Sequence, residues 1–271
     1  MGHVRLAFST CPNDTFVFHA WTHGLIEGGP PVEVVHADID VTNTAAEHGA
    51  YDVAKVSYAA LPWLLDRYRL LPSGGALGRG CGPLVLTRSQ LPSLDGRTVA
   101  VPSERSTAYL LFRLWAAGQR PSRIDVVPFA QIMPAVRDGV YDAGLVIHEA
   151  RFVYPHFGLA ALVDLGEWWE QDTGLPIPLG AIVADRSLDT DAIARVVRAS
   201  VEYAWAHPDA SRGYVAEHAA EMAPDVQRRH IDLYVNEFTR DLGADGYAAA
   251  EALLTRAQKA GLTPDTPSVR N

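Results

Sequence analysis

Short apolar runs rich in β-branched residues alternate with segments of helical spacing through the first half of the chain. Residues 4–9 (VRLAFS), 32–38 (VEVVHAD) and 52–56 (DVAKV) have the length and composition of strands, while helical segments begin at Asn13 and at Thr44 and a third runs through 61–68. Thr44-Ala-Ala-Glu47 reads as a capping box, in which the hydroxyl accepts a backbone N–H and the glutamate reaches back to the cap, so the second helix is expected to start there. A second set repeats the order, with 97–101 (RTVAV), a helix from about Ser106 to Ala117, 124–128 (IDVVP), a helix at 131–138 and 142–147 (DAGLVI). Gly-Ala-Tyr-Asp at 49–52 and Gly-Val-Tyr-Asp at 139–142 each close a helix and open an apolar strand, which marks the two sets as an internal repeat. Such alternation predicts a mostly parallel sheet with helices on its faces.

Stretches rich in Gly and Pro punctuate the sets. Residues 72–96 hold one apolar strand, Pro83 to Leu86, and 174–180 (GLPIPLG) read as a second crossing. Two crossings make the first domain discontinuous, so the expected lobes are 1–87 with 180–271, and 88–179. After Asp189 the pattern is helical to Gly261. Asp191 precedes an amphipathic run (Ile193, Val196, Val197, Val201, Trp205), further helices fall near 209–222, 224–241 and 246–260, and 263–271 read as a frayed tail. The expected fold class is α/β: a two-lobe hinged clamshell with C-terminal helices, its small-molecule ligand held in the inter-lobe cleft at strand carboxyl ends and helix amino ends.

Composition narrows the functional classes. With 48% hydrophobic and 20% charged residues, the 271-residue chain can bury a large core unaided. Its 23 Lys and Arg against 32 Asp and Glu leave a formal charge of −9 without a basic cluster, which argues against nucleic acid and anionic membranes as partners. No stretch approaches the ~18–20 apolar residues of a membrane span, and a strand-like run opens at Val4 where a signal peptide would lie. Cys11 and Cys81 are the only cysteines; no disulfide is required, and a reducing, cytoplasmic compartment is expected, with both thiols placed in loops that can meet at the cleft mouth.

Candidate chemistry sits where strands end. Ser9-Thr10-Cys11-Pro12-Asn13-Asp14-Thr15 follows the first strand and can cap the next helix, hold an anion or hydroxyl, or do both. Lys55-Val56-Ser57 ends the third strand; the lysine either snorkels to solvent at a sheet edge, which composition alone favours, or faces the ligand. The equivalent positions of the second set, 145–148, read Leu-Val-Ile-His. An imidazole at such a strand end can serve as a general base near neutral pH, or as a structural group bonding a loop carbonyl, and Glu149 beside it can orient the ring or tune it. Ser103-Glu104-Arg105-Ser106-Thr107 joins a strand to a helix and offers hydroxyls and helix-start N–H groups to a carboxylate, or caps only. The glycine-rich run from Gly74 to Pro83 lacks the Lys-Ser/Thr ending of a phosphate loop, and the chain has no metal-spaced Cys/His set, no G-x-S-x-G and no G-x-G-x-x-G after a strand.

Three blocks, TCPNDTFVFHAW at 10–21, DVAKVSYAALPWLLDRYRLLPSGGALGRGCGPLV at 52–85 and IHEARFVY at 147–154, are together similar to the 1,4-dihydroxy-6-naphthoate synthases, the last dedicated enzymes of the futalosine route to menaquinone. The similarity runs from the first strand through at least residue 185. It implies the fold of a type II periplasmic binding protein working in the cytoplasm, and a lyase that splits cyclic dehypoxanthine futalosine to 1,4-dihydroxy-6-naphthoate with no cofactor and no metal. It places the catalytic base on His148 through the IHE motif, substrate contacts on Lys55, Val56 and Ser57, and a second binding segment on Ser106, Thr107 and Ala108. Asn13, Asp14 and Asn43 complete the expected contacts. Ser106 and Thr107 are expected to grip the substrate carboxylate, with Lys55, Ser57 and Asn43 facing it from the first lobe. Two positions depart from the family pattern: Ser9-Thr10 stands where Ser-Pro is expected, and Ala150 where Gly is commoner.

Two rivals remain at this level. Chorismate dehydratase of the same pathway shares the fold, although the KVS and IHE blocks speak against it, and the fold also hosts solute-binding or sensor modules without activity.

Overall fold

The structure, a computed structural model, describes residues 3–148, 150–219 and 223–270. In chain order, β1 (Val4–Phe8), α1 (Pro12–Thr22), β2 (Val32–His36), α2 (Ile39–Glu47), β3 (Val53–Ser57), β4 (Tyr68–Leu70) and β5 (Ala76–Gly78) come first. They are followed by β6 (Leu84–Thr87), β7 (Thr98–Val101), α3 (Thr107–Trp115), β8 (Arg123–Val126), α4 (Phe129–Arg137), β9 (Ala143–Val146), α5 (Ala150–Val153), β10 (Ala160–Asp164) and α6 (Leu165–Thr173). The chain closes with β11 (Ile177–Asp185), α7 (Thr190–Ala206), α8 (Arg212–His218), α9 (Pro224–Tyr234), α10 (Glu237–Arg240) and α11 (Gly243–Lys259). Two compact units result: residues up to Gly78 with those from Pro178 onward, and Arg79–Ile177. The boundary expected at 87 falls at 78, because β6 bonds into the sheet of the second unit.

In the first unit the sheet order is β2-β1-β3-β11-β4, with β5 also paired to β11. The first three strands run parallel, as the βαβ alternation requires, and β11 returns antiparallel against β3. The Pro- and Gly-rich 174–180 stretch is therefore not only a crossing: it feeds straight into the nine-residue β11, whose pairing with β3 begins at Gly180, after Pro178. Helix α1 is buried at every position from Pro12 to Trp21, and Phe8, Phe16, Phe18, Trp21, Val197 and Val201 belong to the core it shares with α7.

Local signals misplaced several boundaries. Helix α2 starts at Ile39 behind Asp38, and Thr44 lies inside it, its hydroxyl donating to the Asp40 carbonyl at 3.0 Å, so the capping box is not formed. Packing explains the earlier start, since Thr42, Asn43 and Ala46 form the buried face of α2 and α2 packs on β3. The helix expected through 61–68 is a 3-10 turn over 58–63 containing Pro62, followed by β4. The long helix expected at 224–241 breaks at Asn236, which caps α10, and of the helix expected at 209–222 the structure describes α8 and leaves 220–222 outside the described residues. The tail is tied down: Val269 is buried, and Arg270 bonds Glu251 at 2.8 Å.

The second unit holds a five-stranded sheet in the order β10-β6-β9-β7-β8. Its parallel trio β8-β7-β9 matches β2-β1-β3 of the first unit, the first strand of each repeat lying in the middle. The Gly-x-Tyr-Asp motif plays one role twice. Gly49 (φ 69°) and Gly139 (φ 78°) take the left-handed conformation that ends the preceding helix. Asp52 then accepts the Arg5 N–H at 2.8 Å and Asp142 the Thr98 N–H at 2.9 Å, each tying the third strand to the first. That amide bond, with the Thr98 hydroxyl and Arg97, holds the Asp142 carboxyl below its ordinary range against the opposing effect of burial.

Candidate active site

All five residues of β3 are buried, and Lys55 lies on this interior strand between β1 and β11. It does not snorkel. A buried ammonium needs a counter-charge, and Asp14, in the first turn of α1, supplies it through a direct ion pair. Asp14 also accepts the Ser9 hydroxyl at 2.7 Å on one oxygen and the Asn13 amide N–H at 2.8 Å on the other. Asp14, with Ser9 and Asn13 bonded to it, thus serves the lysine rather than capping the helix: Cys11 occupies the N-cap without a side-chain cap bond, and Pro12 fills the first helical position, where a missing N–H costs nothing. Gly180 on β11 makes room, because a Cβ there would stand 2.8 Å from the Lys55 Cε.

Two residues along β3, the Ser57 N–H donates to Asn43 Oδ1 at 2.7 Å, and the Asn43 amide donates to the Ser57 hydroxyl at 3.1 Å. This reciprocal pair clamps the strand end to α2. Of the residues expected here, Asn13, Asp14, Asn43, Lys55, Val56 and Ser57 are all buried in the first unit. His230 on α9 was not foreseen; its Nε2 lies 2.9 Å from Asn13 Oδ1. Nothing local in the sequence around it signals the contact.

In the second unit Ser106 is the N-cap of α3, its hydroxyl accepting the Tyr109 N–H at 3.2 Å, while Ser103 Oγ accepts the Arg105 N–H at 3.1 Å. Ser103, Ser106, Thr107 and Ala108 are buried, and the positive end of the helix dipole lies here. His148 follows β9 by two residues. Its φ of 55° makes it the one non-glycine among the described residues with left-handed backbone. The ring meets Phe129 edge-on, centroids 5.9 Å apart, and the carbonyl accepts the Arg151 N–H at 3.3 Å. Arg151 in turn pairs with Asp164 and donates to the Gly82 carbonyl at 2.8 Å, fixing the helix that starts behind His148. Glu149, expected beside the ring, lies outside the described residues.

Neither cysteine is in a disulfide. Cys81 is buried in the second unit and its thiol is pushed up to about 12 by burial, so it is a poor nucleophile. Among the described residues no three His, Cys, Asp or Glu side chains converge as a metal set would, and no helix is long and apolar enough to cross a membrane.

Two α/β units, with polar groups and helix starts gathered at strand carboxyl ends, define a periplasmic-binding-protein-like fold. The periplasmic aliphatic sulphonate binding protein of Escherichia coli superposes with a TM-score of 0.70 at 16% identity, covering 99% of this chain and 90% of that one, a likeness of fold alone. Protein AF1704 of Archaeoglobus fulgidus superposes with a TM-score of 0.89 at 34% identity, over 96% and 98% of the two chains. The chain belongs to the menaquinone biosynthesis family, whose pattern matches residues 4–259, and is an enzyme of that pathway. The 1,4-dihydroxy-6-naphthoate synthase of Streptomyces coelicolor is 64% identical over 267 residues, 96% of this chain and 95% of that one.

Proposed function

We propose that this enzyme is a carbon-carbon lyase that converts cyclic dehypoxanthine futalosine to 1,4-dihydroxy-6-naphthoate, with His148 as its general base. The observation that carries the reading is the backbone of His148. A left-handed φ on a residue with a Cβ costs ~1–3 kcal/mol, and such strain concentrates where a side chain must be aimed. The imidazole takes a proton from a hydroxyl of the sugar-derived portion; the O–H electron pair becomes a carbonyl as the adjacent carbon-carbon bond breaks. The conjugated carbonyl of the ring system takes up the released pair, and formation of an aromatic ring favours the products. Base catalysis of this kind contributes ~10²–10⁴-fold.

Ser106, Thr107 and Ala108 supply the hydroxyl and backbone groups of a helix start suited to the substrate carboxylate, and Lys55, Val56 and Ser57 supply the contacts of the first unit. Asn13, Asp14 and Asn43 act behind them, holding Lys55 and Ser57. The partner is a small carboxylate-bearing molecule, and the compartment is the cytoplasm. The name of the Streptomyces coelicolor relative supports naphthoate synthesis over chorismate dehydration. Incubating the purified protein with cyclic dehypoxanthine futalosine and, separately, with chorismate tests this. Naphthoate absorbance with the first substrate alone is the expected result; dehydration of chorismate, or binding of either compound without turnover, refutes it.

A further inference from the structure

Helix α9 is polar along most of its length, and among its described residues only His230 and Tyr234 are buried. A buried imidazole is costly where an apolar side chain would pack as well, so its hydrogen bond has to account for it. Direction along that bond can be deduced. A carboxylate only accepts, so Asn13 must present its NH2 to Asp14 and its Oδ1 to His230; the proton between them therefore sits on His230 Nε2. The donors run one way, from the imidazole to the Asn13 carbonyl and from the Asn13 amide to Asp14 Oδ1, the same oxygen that pairs with Lys55, while Ser9 donates to Oδ2. All of these residues are buried, which strengthens each link and leaves little water to replace one that is lost.

We infer that His230 is a positioning residue for Lys55, acting through Asn13 and Asp14 to fix where the ammonium stands at the end of β3. The inference rests on the proposed function, in which Lys55 contacts the substrate. The imidazole orients the Asn13 amide; the amide fixes the Asp14 carboxylate; the carboxylate fixes the lysine. A displaced Lys55 weakens binding of substrate and transition state alike, which raises KM and spares kcat.

The test measures kcat and KM for cyclic dehypoxanthine futalosine with the wild-type enzyme, His230→Leu, His230→Gln, Lys55→Met and the Lys55→Met/His230→Leu double variant. Expected are a roughly fivefold rise in KM for His230→Leu with kcat within about twofold, recovery in His230→Gln, whose amide can donate to Asn13, and no additional loss when His230→Leu is added to Lys55→Met, since residues acting as one unit are not additive. If His230→Leu does not fold, Asn13→Ala breaks the same chain at its middle link and should show the same rise. An unchanged KM in the folded variant, a loss confined to kcat in proportion to unfolded protein, failure of glutamine to restore KM, or multiplying losses in the double variant would overturn the inference. Wild-type turnover separates the two levels: without it the proposed function fails and the inference with it, whereas turnover with an unmoved KM sinks the inference alone.

Discussion

The ends of β3 and β9 occupy equivalent places in the two halves of the repeat, yet they are held by different means. At β3, side chains do the holding: Lys55 is locked by Asp14, Asp14 by Ser9 and Asn13, and Ser57 by Asn43. At β9 the counterparts of Lys55 and Val56 are the apolar Leu145 and Val146, and the polar group comes two residues later on a left-handed backbone. Aligned through Gly-x-Tyr-Asp, His148 answers to Tyr58, a fully buried phenol whose ionisation burial suppresses. One scaffold thus carries a rigid charged anchor at one strand end and an aimed, half-buried imidazole at the other. A pair of buried charges suits binding, which needs fixed geometry. The role proposed for His148, in which the ring gains and loses a proton, suits a position with less burial.

The comparison breaks first at Lys55. Removing one member of a buried ion pair leaves the other charge without compensation, and Lys55→Met should cost ~3–5 kcal/mol of stability, read from the urea midpoint. Adding Asp14→Leu should return most of that loss, because the desolvation penalty leaves with both charges. If Lys55→Met alone is neutral, the pair does not anchor the strand end. At the other end the expected effect is on chemistry and not on the fold. His148→Asn should lower kcat by ~10² or more while the urea midpoint stays near that of the wild type, since Asn tolerates the left-handed region. A near-normal kcat would remove His148 from the role of base.

Much of this contrast could be read along the chain, and what could not has physical causes. The repeat was visible because Gly-x-Tyr-Asp does local work twice, ending a helix and tying a strand. His148 could be singled out because it follows an apolar run at the place equivalent to the end of β3 and because the IHE block resembles a family. The state of Lys55 was not visible: whether a strand is interior or at an edge depends on β11, which arrives more than a hundred residues later and hides behind GLPIPLG. His230 was hidden for the same reason, its partner lying 217 positions away. The Thr44 capping box failed because burial of Thr42, Asn43 and Ala46 outweighed a local preference.

A smaller effect is expected at the start of α3. Thr107→Ala removes a buried hydroxyl beside the helix N-terminus but leaves the backbone N–H groups and the Ser106 cap in place. KM should rise several-fold with little change in kcat, the pattern of a uniform binding contact. An unmoved KM would mean that the substrate carboxylate lies elsewhere.

The smallest predicted effect again divides the two halves. In the first unit His19 on α1, His23 just after it, His36 at the end of β2 and His218 on α8 gather around Tyr214: His36 and His218 have ring centroids 4.5 Å apart, His19 and His23 4.3 Å, and the Tyr214 hydroxyl lies 3.2 Å from His36 Nε2. Burial lowers the pKa of His19, helped by His23; burial also lowers that of His36, helped by His218 and opposed by a bond to the Phe8 backbone and by the charge of Asp14. Folded-state values below the ordinary 6.5 mean that the unfolded chain binds more protons just under that pH. Stability from these groups is therefore present above 6.5 and is lost as pH falls through 6.5 towards the depressed folded values. Hydrogen exchange at pH 7.5 and at about 5.5 should show protection falling in β2 and α8 while β7 to β9 hold, and His36→Gln should shrink the difference. Equal loss in both halves would show that protonation acts on the molecule as a whole rather than on this cluster.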